Sequence, residues 1–203
     1  MNETENLPLP ADMVREFVIA GHFNLPRVQE MLAEEPRLLN AANEWGPRDT
    51  ETAIQGAAHT GQRAIAEYLL AQGAPLELCT AAMLGRRADV ETFLAADTAA
   101  IYTRGAHSIP LLSHAAFSGD AGLVADLYSR GAHEGESMAL ANAVAAGHKG
   151  VVAWLLEYAD PDLAWLNWQG KTALDVALEG GQTAIADLLR SYGAESGAPV
   201  AGG

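Results

Sequence analysis

The sequence predicts an all-α helical solenoid of about six helix–turn–helix units joined by irregular loop fingers, and three observations carry that prediction. First, a block recurs. Gly170-Lys171-Thr172-Ala173-Leu174-Asp175-Val176-Ala177 is followed by Gly181, Ile185-Ala186-Asp187-Leu188-Leu189 and Gly193-Ala194, and the same frame holds Thr52-Ala53-Ile54-Gln55-Gly56-Ala57-Ala58, Gly61, Ile65 and Gly73-Ala74. Second, glycines act as a ruler: Gly21, Gly61, Gly85, Gly119, Gly147 and Gly181 are separated by 40, 24, 34, 28 and 34 residues. A second marker follows the last five at a constant twelve residues (Gly73, Asp97, Gly131, Ala159, Gly193), so the inner unit is fixed and only the connections vary. Third, apolar residues between the markers fall at i, i+3 and i+4, as in Ile65, Tyr68 and Leu69, which is one face of a helix. Repeats of this period stack, each burying its face against the next.

The elements follow in order. A first helix over 12–20 begins after Pro10, and a second over 27–33 ends at Pro36. Together they form an N-terminal capping unit, whose outer face suits Arg15, Glu16, Glu30 and Glu34. Residues 40–51 form a long polar connection with its finger at Asn43-Glu44-Trp45-Gly46. Unit three, 78–94, is compact, and the Gly61–Gly85 spacing leaves no room for a finger between units two and three. The chain returns through 98–108, with a finger at Gly105-Ala106-His107-Ser108. Glu134-Gly135-Glu136 is a clipped finger, 160–170 is the last full one, and 183–192 is a C-terminal capping helix. Each first helix ends at its ruler glycine, which takes a left-handed cap without steric cost. The expected organisation is an extension over 1–11, one continuous solenoid over 12–194 and a disordered, Gly/Ala-rich tail over 195–203.

These residues resemble the ankyrin repeat, whose motif runs Gly-x-Thr-Pro-Leu-His-x-Ala-Ala-x-x-Gly-His, then an apolar helix, then Gly-Ala. The resemblance covers roughly 12–194 and is strongest in units two, four, five and six. Unit four reads Ile109-Pro110-Leu111-Leu112-Ser113-His114-Ala115-Ala116-Phe117-Ser118-Gly119-Asp120. No unit keeps the motif's His after Leu; Arg15, Gln55, Cys79, Ser113, Ala141 and Asp175 stand there. The period also departs from the usual ~33 residues, so the stack is expected to be uneven. The Ala-, Arg- and Gly-rich, Lys-poor composition resembles that of proteins from high-GC bacteria.

Composition limits the partners. The net charge is −14, with Lys149 and Lys171 the two lysines, which argues against nucleic acid and against anionic membrane surfaces. No apolar run approaches the roughly 20 residues of a membrane span, and the acidic start Met1-Asn2-Glu3 is unlike a signal peptide; the expected location is cytoplasmic. The single cysteine, Cys79, excludes an internal disulfide and sits in a first helix as a packing residue.

Motifs of chemistry are sparse. His133-Glu134 begins like HExxH but places Ser137 at i+4. Ser118 and His114 lie one helical turn apart, a spacing that arises by geometry alone. Gly170-Lys171-Thr172 ends like a phosphate loop, yet Trp165 occupies the place of that motif's first glycine. His22 and His148 follow unit glycines, where the resembled motif also has His. No metal site, cofactor or catalytic set is expected; a metal site assembled across repeats is the residual alternative.

The resemblance implies a concave face formed by finger tips and first-helix ends. By register the fingers present Glu44, Trp45, His107, Glu134, Trp168 and Gln169, and the helix ends present His59, Thr60, Met83, Leu84, Phe117 and Ser118. Large apolar groups at wet positions mark contact sites; the competing reading folds each onto a neighbour, Trp45 onto Tyr68 for instance. The absent finger between units two and three suggests a notch at units two to four, flanked by Trp45 and His107. The implied function is a non-enzymatic, monomeric module that binds a protein partner, favourably a basic one, as adaptor, inhibitor or chaperone. The alternatives are a self-associating structural protein and, behind it, an enzyme with an unrecognised site.

Overall fold

The computed structural model describes residues 8–197. Among them are twelve α-helices in six antiparallel pairs: α1 (Ala11–Gly21) with α2 (Leu25–Glu34), α3 (Ala53–His59) with α4 (Arg63–Ala71), α5 (Leu78–Met83) with α6 (Arg87–Ala96), α7 (Leu111–Ala115) with α8 (Ala121–Ser129), α9 (Glu136–Ala145) with α10 (Lys149–Tyr158), and α11 (Ala173–Glu179) with α12 (Thr183–Ser191). The six-unit solenoid is therefore as the sequence predicts. The first finger adds a two-stranded antiparallel hairpin, β1 (Ala42–Gly46) and β2 (Asp49–Thr52), turned at Pro47-Arg48 with Arg48 at φ 65°. Residues 1–7 and 198–203, parts of the expected extension and tail, lie outside the described residues. Of the expected tail, Gly197 lies against α11, its N–H donating to the Asp175 carboxylate at 3.1 Å.

Local chemistry sets the helix starts. Asn24 accepts from Arg27 N at 3.1 Å ahead of α2, Asp120 accepts from Leu123 N at 3.0 Å ahead of α8, and Thr172 and Asp175 form a reciprocal capping box on α11. Two of the positions where the ankyrin motif has His serve as bridges between units. Gln55 Nε2 donates to Glu77 at 3.0 Å, reaching from α3 to the start of α5, and Ser113 Oγ donates to Gly135 O at 3.3 Å, reaching from α7 to the start of α9. The five later ruler glycines hold positive φ, as expected of left-handed caps. Gly21 does not: it closes α1 in helical conformation, and it is glycine because a Cβ there would stand 2.5 Å from Ala53 O and 2.9 Å from Ala53 Cα. Gly21→Ala must push α3 from α1, and should cost about 1–3 kcal/mol. A urea midpoint within error of wild type would refute that close approach.

The first helices pack in sequence, α1 through α11. The hydrophobic core nevertheless divides in two. One cluster runs from Val14 to Ala74 and takes in Met83 and Leu84; the other runs from Leu78 to Ala194. The division falls within α5, where the connection is shortest. Within the second cluster the outer row is laced by charge: Arg87 on α6 grips Asp120 at 2.6 Å through two nitrogens, and Arg130 meets Glu91 at 2.7 Å. Exposed pairs of this kind stabilise by under about 1 kcal/mol each. An apolar tie across the seam is Phe117, which packs on the first cluster from the end of the fourth unit, its ring so close to Gly61 that a Cβ there would sit 2.5 Å away.

This packing corrects the expected wet ends of α5. Met83 is 1% exposed and Leu84 5%, both sealed in the first cluster. With no finger between units two and three, α5 sinks against α3, and the fourth unit's 3-10 turn Ala116–Ser118 carries Phe117 over it. Cys79 is buried as expected, and desolvation with the nearby Glu77 charge pushes its thiol up to about 12, so it is not a nucleophile.

Candidate functional site

A groove of about 930 Å³ runs along the inner face from the end of α1 to α11. Its N-terminal wall is Ile19, His22 and Phe23 with Trp45, His59 and Thr60; its C-terminal wall is Trp165, Asn167, Trp168 and Gln169 with Val176. Ile109 and Phe117 form the middle, and α9 contributes Met138, Ala141, Asn142 and Ala145. Of the sequence-predicted contact residues, Trp45, His59, Thr60, Phe117, Trp168 and Gln169 line this groove together. Trp168 is 91% exposed. The others do not: Met83 and Leu84 are buried, Glu44 is exposed on the hairpin, Glu134 pairs with Arg104 at 2.6 Å, and Ser118 Oγ accepts from Asp120 N at 3.0 Å. The α9 stripe was missed, although its spacing of 138, 141, 142 and 145 is helical and could have been read as a second face. Among the described residues no Asp, Glu, Lys or Arg lines the groove, whose surface is aromatic, apolar and amide with the His22 and His59 imidazoles and the Thr60 side chain at one wall.

Neither Trp45 nor the finger notch is a free apolar surface. The Trp45 indole packs partly into the first cluster, as Tyr68 does, lies 5.7 Å from the Arg15 guanidinium and donates Nε1–H to Glu51 Oε2 at 2.7 Å. Where no finger stands between units two and three there is a smaller cavity of about 210 Å³, lined by polar groups including Arg48, Asp49, Gln55, Glu77 and Arg104. Across it the fourth unit's finger reaches the hairpin: His107 N and Nδ1 donate to Asp49 at 3.2 and 2.8 Å. His107 and Ser108 hold φ of 56° and 58°, a left-handed backbone that costs non-glycine residues of order 1 kcal/mol each and tends to be kept where geometry matters.

That reach completes a second constellation behind the N-terminal wall. Glu51, on β2, is 0% exposed. Its Oε1 lies 2.7 Å from His59 Nε2 and 3.3 Å from His22 Nε2, and its Oε2 lies 3.4 Å from His107 Nε2. His22 and His59 approach at 3.1 Å between Nε2 atoms. Burial would raise the Glu51 carboxyl, but the hydrogen bonds and charges of His22 and His59 outweigh it and hold it far below the usual carboxylate range. Burial would lower His22, yet Glu51 and the carbonyls of Val18 and Ile19 raise it. Each element contributes one group because the hairpin folds back over the ends of α1 and α3, and the His22 ring lies flat enough on Gly56 that a Cβ there would stand 2.8 Å from it.

Two further histidines are structural. His148 Nε2 donates to Phe117 O at 3.0 Å, and His114, in α7, turns Nδ1 to Pro110 O at 3.0 Å and not toward Ser118. Among the described residues no helix is long and apolar enough to cross a membrane. The ankyrin-repeat family model, three copies, matches residues 112–199, which span units four to six. No curated protein matches the chain.

Proposed function

We propose that this chain, whose residues 112–199 match the ankyrin-repeat model and whose repeats are generally protein–protein interaction modules, binds one protein partner in the groove between α1, α9 and the 165–169 finger. The observation that carries the reading is Trp168, almost wholly in water beside Trp165, Phe23 and Ile19 on the walls of one apolar channel. An exposed apolar surface of this size marks a contact site, and Trp is a favoured anchor. The partner offers an apolar segment to the groove. The net charge of −14, carried outside the groove lining, favours basic flanks and speeds their approach. No step of chemistry is assigned to the groove: the role is that of an adaptor, inhibitor or chaperone, acting as a monomer in the cytoplasm.

Trp168→Ala should leave the unfolding midpoint unchanged, since the side chain packs on almost nothing, and should weaken partner capture by about tenfold or more. Pull-down from source cells with wild type and variant, followed by titration of the recovered protein, measures both. Equal capture would move the site away from the groove. Capture of only the chain itself, with light scattering that rises with concentration, would favour self-association.

A further inference from the structure

We propose that His22, His59 and His107 together with Glu51 form a binding site for one divalent first-row transition-metal ion, zinc being the best match to the donors. The site stands independently of what the groove binds.

The argument begins with protons. Val18 O can only accept, so the His22 Nδ1 at 2.9 Å from it carries the hydrogen, and Nε2 of the neutral ring is a bare lone pair. The Asp49 carboxylate likewise accepts from His107 Nδ1 at 2.8 Å and bares that ring's Nε2. Both bare nitrogens face Glu51 oxygens, at 3.3 and 3.4 Å. Two lone pairs turned on a fully buried carboxylate repel it unless positive charge, a ring proton or a metal ion, sits between them. The ion pairs of Glu51 are all with histidines; no lysine or arginine supplies that charge among the described residues.

A cation there answers the geometry. The four ligand atoms lie within 4.8 Å of one another. His22 Nε2, His59 Nε2 and Glu51 Oε1 form a triangle with edges of 2.7, 3.1 and 3.3 Å. Metal–ligand bonds of about 2.0–2.1 Å at tetrahedral zinc place ligands roughly 3.3 Å apart, so these three atoms already stand near their bonded positions. His107 closes the fourth position from its finger with a small movement. Three imidazoles and one carboxylate suit zinc, cobalt or nickel and not calcium or magnesium, which take oxygen. The supporting contacts are those metal sites use: a carboxylate orients His107, a backbone carbonyl orients His22, and the Trp45 indole holds the second oxygen of Glu51.

The test uses the full chain, stripped with a chelator and titrated with zinc chloride at neutral pH. One saturable equivalent is expected by calorimetry, with a rise in unfolding midpoint of roughly 5 °C at saturating metal. Cobalt(II) should give the intense visible band of a tetrahedral centre. His59→Gln and Glu51→Gln, checked for native circular dichroism, should each lose about 100-fold in affinity, and Asp49→Asn about tenfold. If the two ligand variants fail to fold, His107→Gln, on an exposed finger, carries the test with an expected loss of tenfold or more. No saturable equivalent would mean a proton-sharing network without an ion and overturns the site. So would unchanged affinity in a folded ligand variant, which would assign the binding to stray surface histidines.

Discussion

Acidification from pH 6.5 toward 4 should remove about 3 kcal/mol of stability through His114 alone. The side chain is 1% exposed within α7, and the cost of desolvating a charge there, with a smaller push from His59, lowers it to about 4 against the ordinary 6.5. Its Nδ1–H bond to Pro110 O works the other way and is outweighed. Between those values the unfolded chain binds a proton that the folded chain refuses, so protonation favours unfolding. The contribution is intact above pH 6.5, has fallen by about 2 kcal/mol at pH 5, and is lost below pH 4. Urea unfolding at pH 7.0 and 4.5 measures the difference. His114→Leu, close in volume, should remove most of it, because Pro110 O keeps a second donor in Ser113 N at 3.1 Å. An equal acid loss in the variant would show that the sensitivity lies elsewhere.

Phe117→Ala should cost about 2–3 kcal/mol and divide the unfolding transition. The ring is partly buried, so the expectation lies at or below the low end for a Phe-to-Ala cavity. Its position gives it a larger role than its area. It belongs to the fourth unit yet packs in the first cluster on Gly61, and its carbonyl receives His148 from the fifth. Truncation removes an apolar tie across the seam in α5 and leaves polar links, Gln55 to Glu77 and His107 to Asp49, which contribute little. Solenoid stability is a sum of unit and interface terms, so a weakened interface separates the halves. Trp45 reports the first cluster and Trp154 the second. Fluorescence of single-tryptophan variants should coincide in the wild-type background and diverge by a resolvable urea interval with Phe117→Ala. Coincident curves with an unmoved midpoint would show that the seam does not depend on this ring.

The sequence made the stack legible because its marks are local. A ruler glycine, followed in the last five units by a marker twelve residues on, fixes the inner unit whatever the connections do, and the helix pairs stand where that ruler puts them. The hairpin is legible only as a loop finger, since residues 40–51 lack the alternation that marks a strand. What the ruler could not show is depth. Met83 and Leu84 occupy a register position that is wet in a regular stack, and they are buried because the short connection draws α5 inward and Phe117 crosses over it. The carboxylate–histidine cluster was illegible for the same reason. His22, Glu51, His59 and His107 are separated by 29, 8 and 48 residues, which match no ligand spacing; they meet because a finger is missing between those that carry Glu51 and His107.

That missing finger also bears on mechanics. A regular solenoid is a spring whose coils touch only their neighbours. Here His107 reaches Asp49 over an unoccupied place, so the second and fourth units are joined directly, with the first linked in through His22. The first four units thus form a braced block, while no comparable skip-link ties the fifth and sixth among the described residues. Under a pulling force the extension should concentrate beyond Gly131, making the wall that holds Trp168 the more compliant side of the groove.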